Sequence, residues 1–177
     1  MMAKRNLALG LFVFITIILN GCGSKTEEGN KSDKVASYQT VGNFQSKDIQ
    51  GNNIELSSFT EKLTLINFWA TWCGPCVAET PDLVEVSTMM KERGVKFIGI
   101  SGDTGPSAAE DVKEFAAKYK IPYTIVIDND EQLQSVFGNV RAFPTTFLVN
   151  KQQQIVSQWI GLRPKEFFIA EIEKHLQ

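Results

Sequence analysis

The chain has 177 residues, with 18 basic and 20 acidic side chains and a formal net charge of −2. That length suffices for one well-buried domain plus additions. The near balance of charge excludes the basic footprint of a nucleic-acid-binding protein, and a 43% hydrophobic share is ordinary for a globular one.

The first residues are not part of the fold. Lys4 and Arg5 precede an apolar run of 13 residues, Leu7–Leu19. As a helix it would reach about 20 Å, short of the ~30 Å hydrocarbon core. Residues 1–21 therefore read as an export signal rather than a membrane span. The run ends in Leu19-Asn20-Gly21-Cys22, which resembles the lipobox of bacterial lipoproteins. That resemblance implies that Cys22 is acylated and becomes the first residue of the mature chain. Asn20 departs from the small apolar residue usual at its place, and the alternative is a signal cleaved elsewhere with Cys22 incidental. Residues 22–37 are polar and turn-rich, the composition of a flexible tether.

A folded domain is expected over residues 38–177. Phe44–Ile49 and Ile54–Leu56 flank Gln50-Gly51-Asn52-Asn53 and read as a hairpin. Ser57–Glu61 reads as a turn. Leu63–Ala70 is a continuous apolar run of strand length, the signature of a strand buried on both faces. Beyond it Cys76, Glu79, Leu83, Val86 and Met90 fall on one helical stripe, with a kink expected at Pro81. Val95–Ser101 is the next strand. Ser107 and Glu110 have the spacing of a capping box opening a helix, with Val112, Phe115, Ala116 and Tyr119 inward. Thr124–Asp128 reads as a strand and Gln132–Phe137 as a short helix that Gly138 ends. Thr145–Val149 and Ile155–Ile160 read as an antiparallel hairpin, and Pro164 opens a last helix with Phe168, Ile172 and Leu176 inward.

Trp72-Cys73-Gly74-Pro75-Cys76 lies at the junction of the buried strand and the stripe. Cys73 is expected at the helix N-terminus, where free N–H groups and the dipole favour a thiolate. Pro75 suits the first turn. Cys76, further in, is close enough to close a disulfide. A structural disulfide and half of a zinc site are the competing readings. Zinc normally needs four protein ligands, and the one histidine, His175, is near the far end.

The run Phe68-Trp-Ala-Thr-Trp-Cys-Gly-Pro-Cys76, followed by Pro81, resembles the active-site segment of thioredoxin. Asn67 before it, Glu79 three residues after the second cysteine and the late Pro144-Thr-Thr-Phe147 narrow the resemblance to membrane-anchored thioredoxin-like proteins of the TlpA/ResA type, over residues 38–177. The implied fold is α/β: a thioredoxin fold with an N-terminal β-hairpin and a central αβ insertion, its mixed sheet flanked by helices. The implied chemistry is dithiol exchange. Cys73 attacks a partner disulfide and Cys76 resolves the mixed disulfide. No cofactor or metal is expected beyond the Cys73–Cys76 disulfide itself.

The same resemblance makes the Phe143–Pro144 bond cis and places it beside the redox pair. Residue 143 then offers backbone groups to an extended partner. Phe143 is larger than the residue usual there. Trp72 is expected to be exposed enough to touch partners. Glu79, on the inward stripe with Cys76, is a candidate acid and base, since burial raises a carboxyl pKa. Asn67 cannot titrate and reads as a hydrogen-bonded core amide.

The expected partners are disulfide-bearing exported proteins, a transmembrane thiol carrier as electron donor, and the membrane through the lipid on Cys22, with no nucleic acid. The protein is expected as a monomer on the extracytoplasmic side, with cytochrome c maturation as a candidate process. Two other readings compete. A thiol peroxidase would need a peroxidatic cysteine in a different context, and a copper chaperone on this fold would need a distal histidine.

Overall fold

The computed structural model describes residues 39–176. The expected export signal, the acylated Cys22 and the tether lie outside the described residues. No helix among those described is long and apolar enough to cross a membrane.

A two-stranded hairpin comes first, β1 (Gln45–Lys47) against β2 (Asn53–Glu55). Asp48 closes its turn by accepting the backbone N–H of Gln50 and of Asn52. A 3-10 turn at Leu56–Ser58 leads to β3 (Leu63–Trp69), which alternates with α1 (Gly74–Lys91), β4 (Val95–Ser101), α2 (Ala108–Tyr119) and β5 (Thr124–Ile127). The short α3 (Gln132–Val136), the hairpin β6 (Thr145–Asn150) and β7 (Ile155–Ile160), and α4 (Lys165–His175) complete the chain.

The main sheet has the order β5-β4-β3-β6-β7. β3, β4 and β5 run parallel, while β6 and β7 add antiparallel strands on the other side. β3 is thus central, and every residue of it is buried. Its alternation explains why. Leu63 and Leu65 pack with Leu83, Val86 and Met90 of α1 and Phe168 and Ile172 of α4. Ile66 and Phe68 face the other way, toward Val41, Phe44, Leu56, Leu133 and Phe137. A strand covered on both faces must be apolar almost throughout. Thr64 and Asn67 are the exceptions, and Asn67 Nδ2 donates to Thr146 Oγ1 on β6 at 2.9 Å, the core amide expected from sequence.

The N-terminal segment engages both margins of the sheet. Val41 N–H donates to Gln153 O and Ile155 N–H to Gln39 O at the start of β7, while Ile49 N–H donates to Ile125 O on β5.

One local expectation differs in the structure. Ser107 makes no capping bond with its side chain. Its backbone is already turned inward (φ −91°, ψ −8°), whereas a side-chain cap needs an extended backbone. Its carbonyl instead accepts from Glu110 and Asp111. The helix α1 continues as one element through Pro81. It also helps to hold α4, because Asp82 accepts the Lys165 N–H at 3.0 Å and Glu85 pairs with Lys165 Nζ at 2.8 Å.

Candidate active site

The site forms where the central strand ends. β3 stops at Trp69, Cys73 N–H bonds back to Ala70 O, and α1 begins. Cys73 is the residue that caps α1, and its Sγ accepts the Cys76 N–H at 3.3 Å. The two cysteines form a disulfide, with Cα atoms 5.2 Å apart. Both sulfur-bearing residues are largely covered, Cys73 at 6% exposure and Cys76 at 2%. The difference between them is position rather than bulk exposure. Cys73 lines a cleft of about 620 Å³ together with Trp72, Val140, Arg141 and Phe143, whereas Cys76 is not part of its wall.

The Phe143–Pro144 bond is cis. Pro144 O accepts the Gly161 N–H at 2.8 Å, and Thr145 Oγ1 donates to Ala142 O, which fixes the bend from both sides. The Phe143 ring lies 5.9 Å from that of Trp72. Trp72 is 69% exposed and stands beside Cys73 as an apolar surface open to water. Trp69 points the other way, into a cluster with Cys73, Cys76, Val112 and Phe115.

Glu79 is 2% exposed, and neither carboxylate oxygen has a hydrogen-bond partner of good geometry among the described residues. Burial pushes its pKa up to about 8, against the opposing pull of the Arg163 backbone and guanidinium; the Asp82 charge adds to the rise. An acid with such a value holds its proton at neutrality yet releases it within a pH unit or so. The phenol of Tyr123 is also pushed up, by burial and then by the Glu79 charge, so these two groups lie within reach of one another's field.

One residue of this site carried no signal in the sequence. Asp103, 4% exposed, accepts from the Thr71 N–H at 2.9 Å, from Thr71 Oγ1 at 2.5 Å and from Ser101 Oγ at 2.6 Å. It ties the turn before Trp72 to the end of β4. In sequence it reads only as a loop residue, because its partner lies 32 positions away.

The sequence profile of the AhpC/TSA family matches residues 38–158. The chain belongs to the AhpC/TSA family. Among its relatives there, the thiol-disulfide oxidoreductase ResA of Bacillus thuringiensis (strain Al Hakam) is 32% identical over 173 residues, 97% of this chain and 98% of that one. ResA of Bacillus subtilis (strain 168) is 33% identical over 129 residues, 73% of this chain and 70% of that one. A crystal structure of a putative thiol:disulfide interchange protein DsbE from Chlorobium tepidum superposes with a TM-score of 0.71 at 26% identity, covering 79% of this chain and 97% of that one. Within the AhpC/TSA family the chain is therefore of the ResA type, a thiol-disulfide oxidoreductase with a thioredoxin-like fold.

Proposed function

We propose that this protein reduces disulfides of exported proteins on the extracytoplasmic side of the cell membrane. The observation that carries the reading is the asymmetry of the pair: Cys73 faces the cleft from a helix N-terminus, and Cys76 lies behind it with Glu79 buried on the same stripe.

In the reduced protein the helix N-terminus favours the Cys73 thiolate. That thiolate attacks one sulfur of the partner disulfide, forming a mixed disulfide and releasing the partner's other sulfur as a thiolate. Cys76 loses its proton and attacks Cys73 Sγ. The partner's second thiolate leaves, and the Cys73–Cys76 disulfide seen in the structure is regenerated. Two electrons pass to the partner. Glu79 is the group placed to take the Cys76 proton and to return it when the pair is reduced again. Trp72, Phe143 and Pro144 form the surface against which the partner chain lies, with residue 143 offering its backbone.

An oxidising compartment does not supply electrons, so the pair needs a thiol donor, which we assign to a transmembrane carrier. We place the anchor at an acylated Cys22 and read the protein as a monomer. Cytochrome c maturation is the process we assign, on the strength of the ResA-type kinship.

A Cys76→Ser protein expressed in the source cells tests the reading, because it stalls exchange at the mixed disulfide. We expect covalent adducts of exported proteins that dithiothreitol releases and that Cys73→Ser does not form. Absence of such adducts, or equal adduct formation by the Cys73→Ser protein through its remaining Cys76, would overturn it.

A further inference from the structure

The turn Ser101–Gly102–Asp103 runs between the two walls of the cleft. Asp103 holds the cysteine wall through Thr71. Gly102 meets the opposite wall. A Cβ at this position would stand 2.4 Å from Phe143 Cζ and 2.7 Å from Cε2. Such contacts do not occur, so the ring fills the space that any side chain at 102 would need. The Gly102 N–H meanwhile donates to Trp69 O at 2.8 Å, which keeps the backbone from backing away. On its other side the Phe143 ring packs on Trp72.

The large residue at 143 is therefore accommodated by the absence of one at 102. What the pair produces is an aromatic wall, Trp72 and Phe143 together, adjoining Cys73 in the cleft. In a partner chain seated in the cleft as proposed above, the side chain beside the attacked cysteine would meet this wall. Aromatic faces reward apolar and aromatic contacts there and give a small hydroxyl little.

We propose that Gly102 and Phe143 interlock to set substrate preference, the seated ring favouring partner disulfides with an apolar or aromatic side chain beside the attacked cysteine. The inference rests on the exchange reading given above. Gly102 acts as a positioning residue, through Phe143, and touches no reacting atom.

The test uses pre-reduced protein as wild type, Gly102→Ala, Phe143→Ala and the double variant. Each reacts with two disulfide-bonded peptides that differ only in Leu or Ser next to the cysteine, and the second-order rate constants are compared. Wild type should favour the Leu peptide by about fivefold, the discrimination expected when one Leu side chain is partly buried against the wall. Gly102→Ala should lower the ratio toward what Trp72 alone supports, and Phe143→Ala should lower it as far. The double variant should lose nothing further, since a displaced ring and a missing ring are equivalent. A Gly102→Ala protein that keeps the wild-type ratio overturns the inference, as do losses that add in the double variant. Should Gly102→Ala fail to fold, adding Phe143→Ala removes the ring it strikes and should restore folding; no restoration counts against the interlock. Wild type that reduces both peptides at one rate overturns this inference alone. Wild type that reduces neither overturns the exchange reading as well.

Discussion

Glu79 is the residue whose cost is easiest to see. Its inward place was legible from its spacing to Cys76 and Leu83, but its opponent Arg163 sits beyond β7 and could not be read from a helical stripe. A carboxyl whose pKa is raised from 4.5 to about 8 binds its proton more tightly in the folded state than in the unfolded one. The stability it contributes is fully present below about pH 4.5 and is lost as pH rises through about 8. Gln at this position carries no such dependence. Glu79→Gln should therefore gain on wild type by roughly 1.4 kcal/mol per pH unit across that window, read from urea unfolding at pH 5, 7 and 9. It should also slow disulfide exchange by about 10–100-fold, a moderate share of an acid–base contribution. Identical stability profiles and rates for the two proteins would reduce Glu79 to a packing residue.

At the scale of elements, β3 and β4 begin and, to within a residue, end where the sequence indicates, because continuous apolar runs bounded by turn residues admit little else. α2 starts where the sequence indicates, with Ser107 as its N-cap, but without the side-chain bond of a capping box, since spacing reports which side chains could bond and not the backbone angle that lets them. The partners in bonds that join separate elements could not be read: Asn67 was legible as a bonded amide but not its partner Thr146, and Asp103 is the consequential case. An amide in its place can still satisfy the turn. Its oxygen would accept from the Thr71 N–H and the Ser101 hydroxyl, and its NH2 would donate to Thr71 Oγ1. Asp103→Asn should thus exchange disulfides within a few-fold of wild type. Asp103→Ala strands the part-buried Thr71 N–H and the buried Ser101 hydroxyl, and should lose about 1–3 kcal/mol of stability and slow exchange by about tenfold or more through a misplaced Cys73. Rates with a protein disulfide and denaturant midpoints measure both. An Ala variant matching Asn would show that the turn holds itself.

For the whole molecule, the expectation that reaches furthest from the described residues is the anchor. Mature protein from the membrane fraction should begin at Cys22 and carry the added mass of lipid there. Cys22→Ala should leave an uncleaved or differently cleaved form. Mass spectrometry decides it, and an unmodified Cys22 in membrane-purified protein would end the claim. The described part has its own safeguard. A sheet with open margins invites a strand from another copy, and stacking of that kind is how many β-containing proteins are lost to aggregates. Here the chain's own leading stretch bonds to the middle of β5 and to the entry of β7, at Gln153–Ile155. That stretch thus doubles as a selvedge: it closes both margins of the sheet and, through Val41 and Phe44, also packs against the central strand that carries the redox pair.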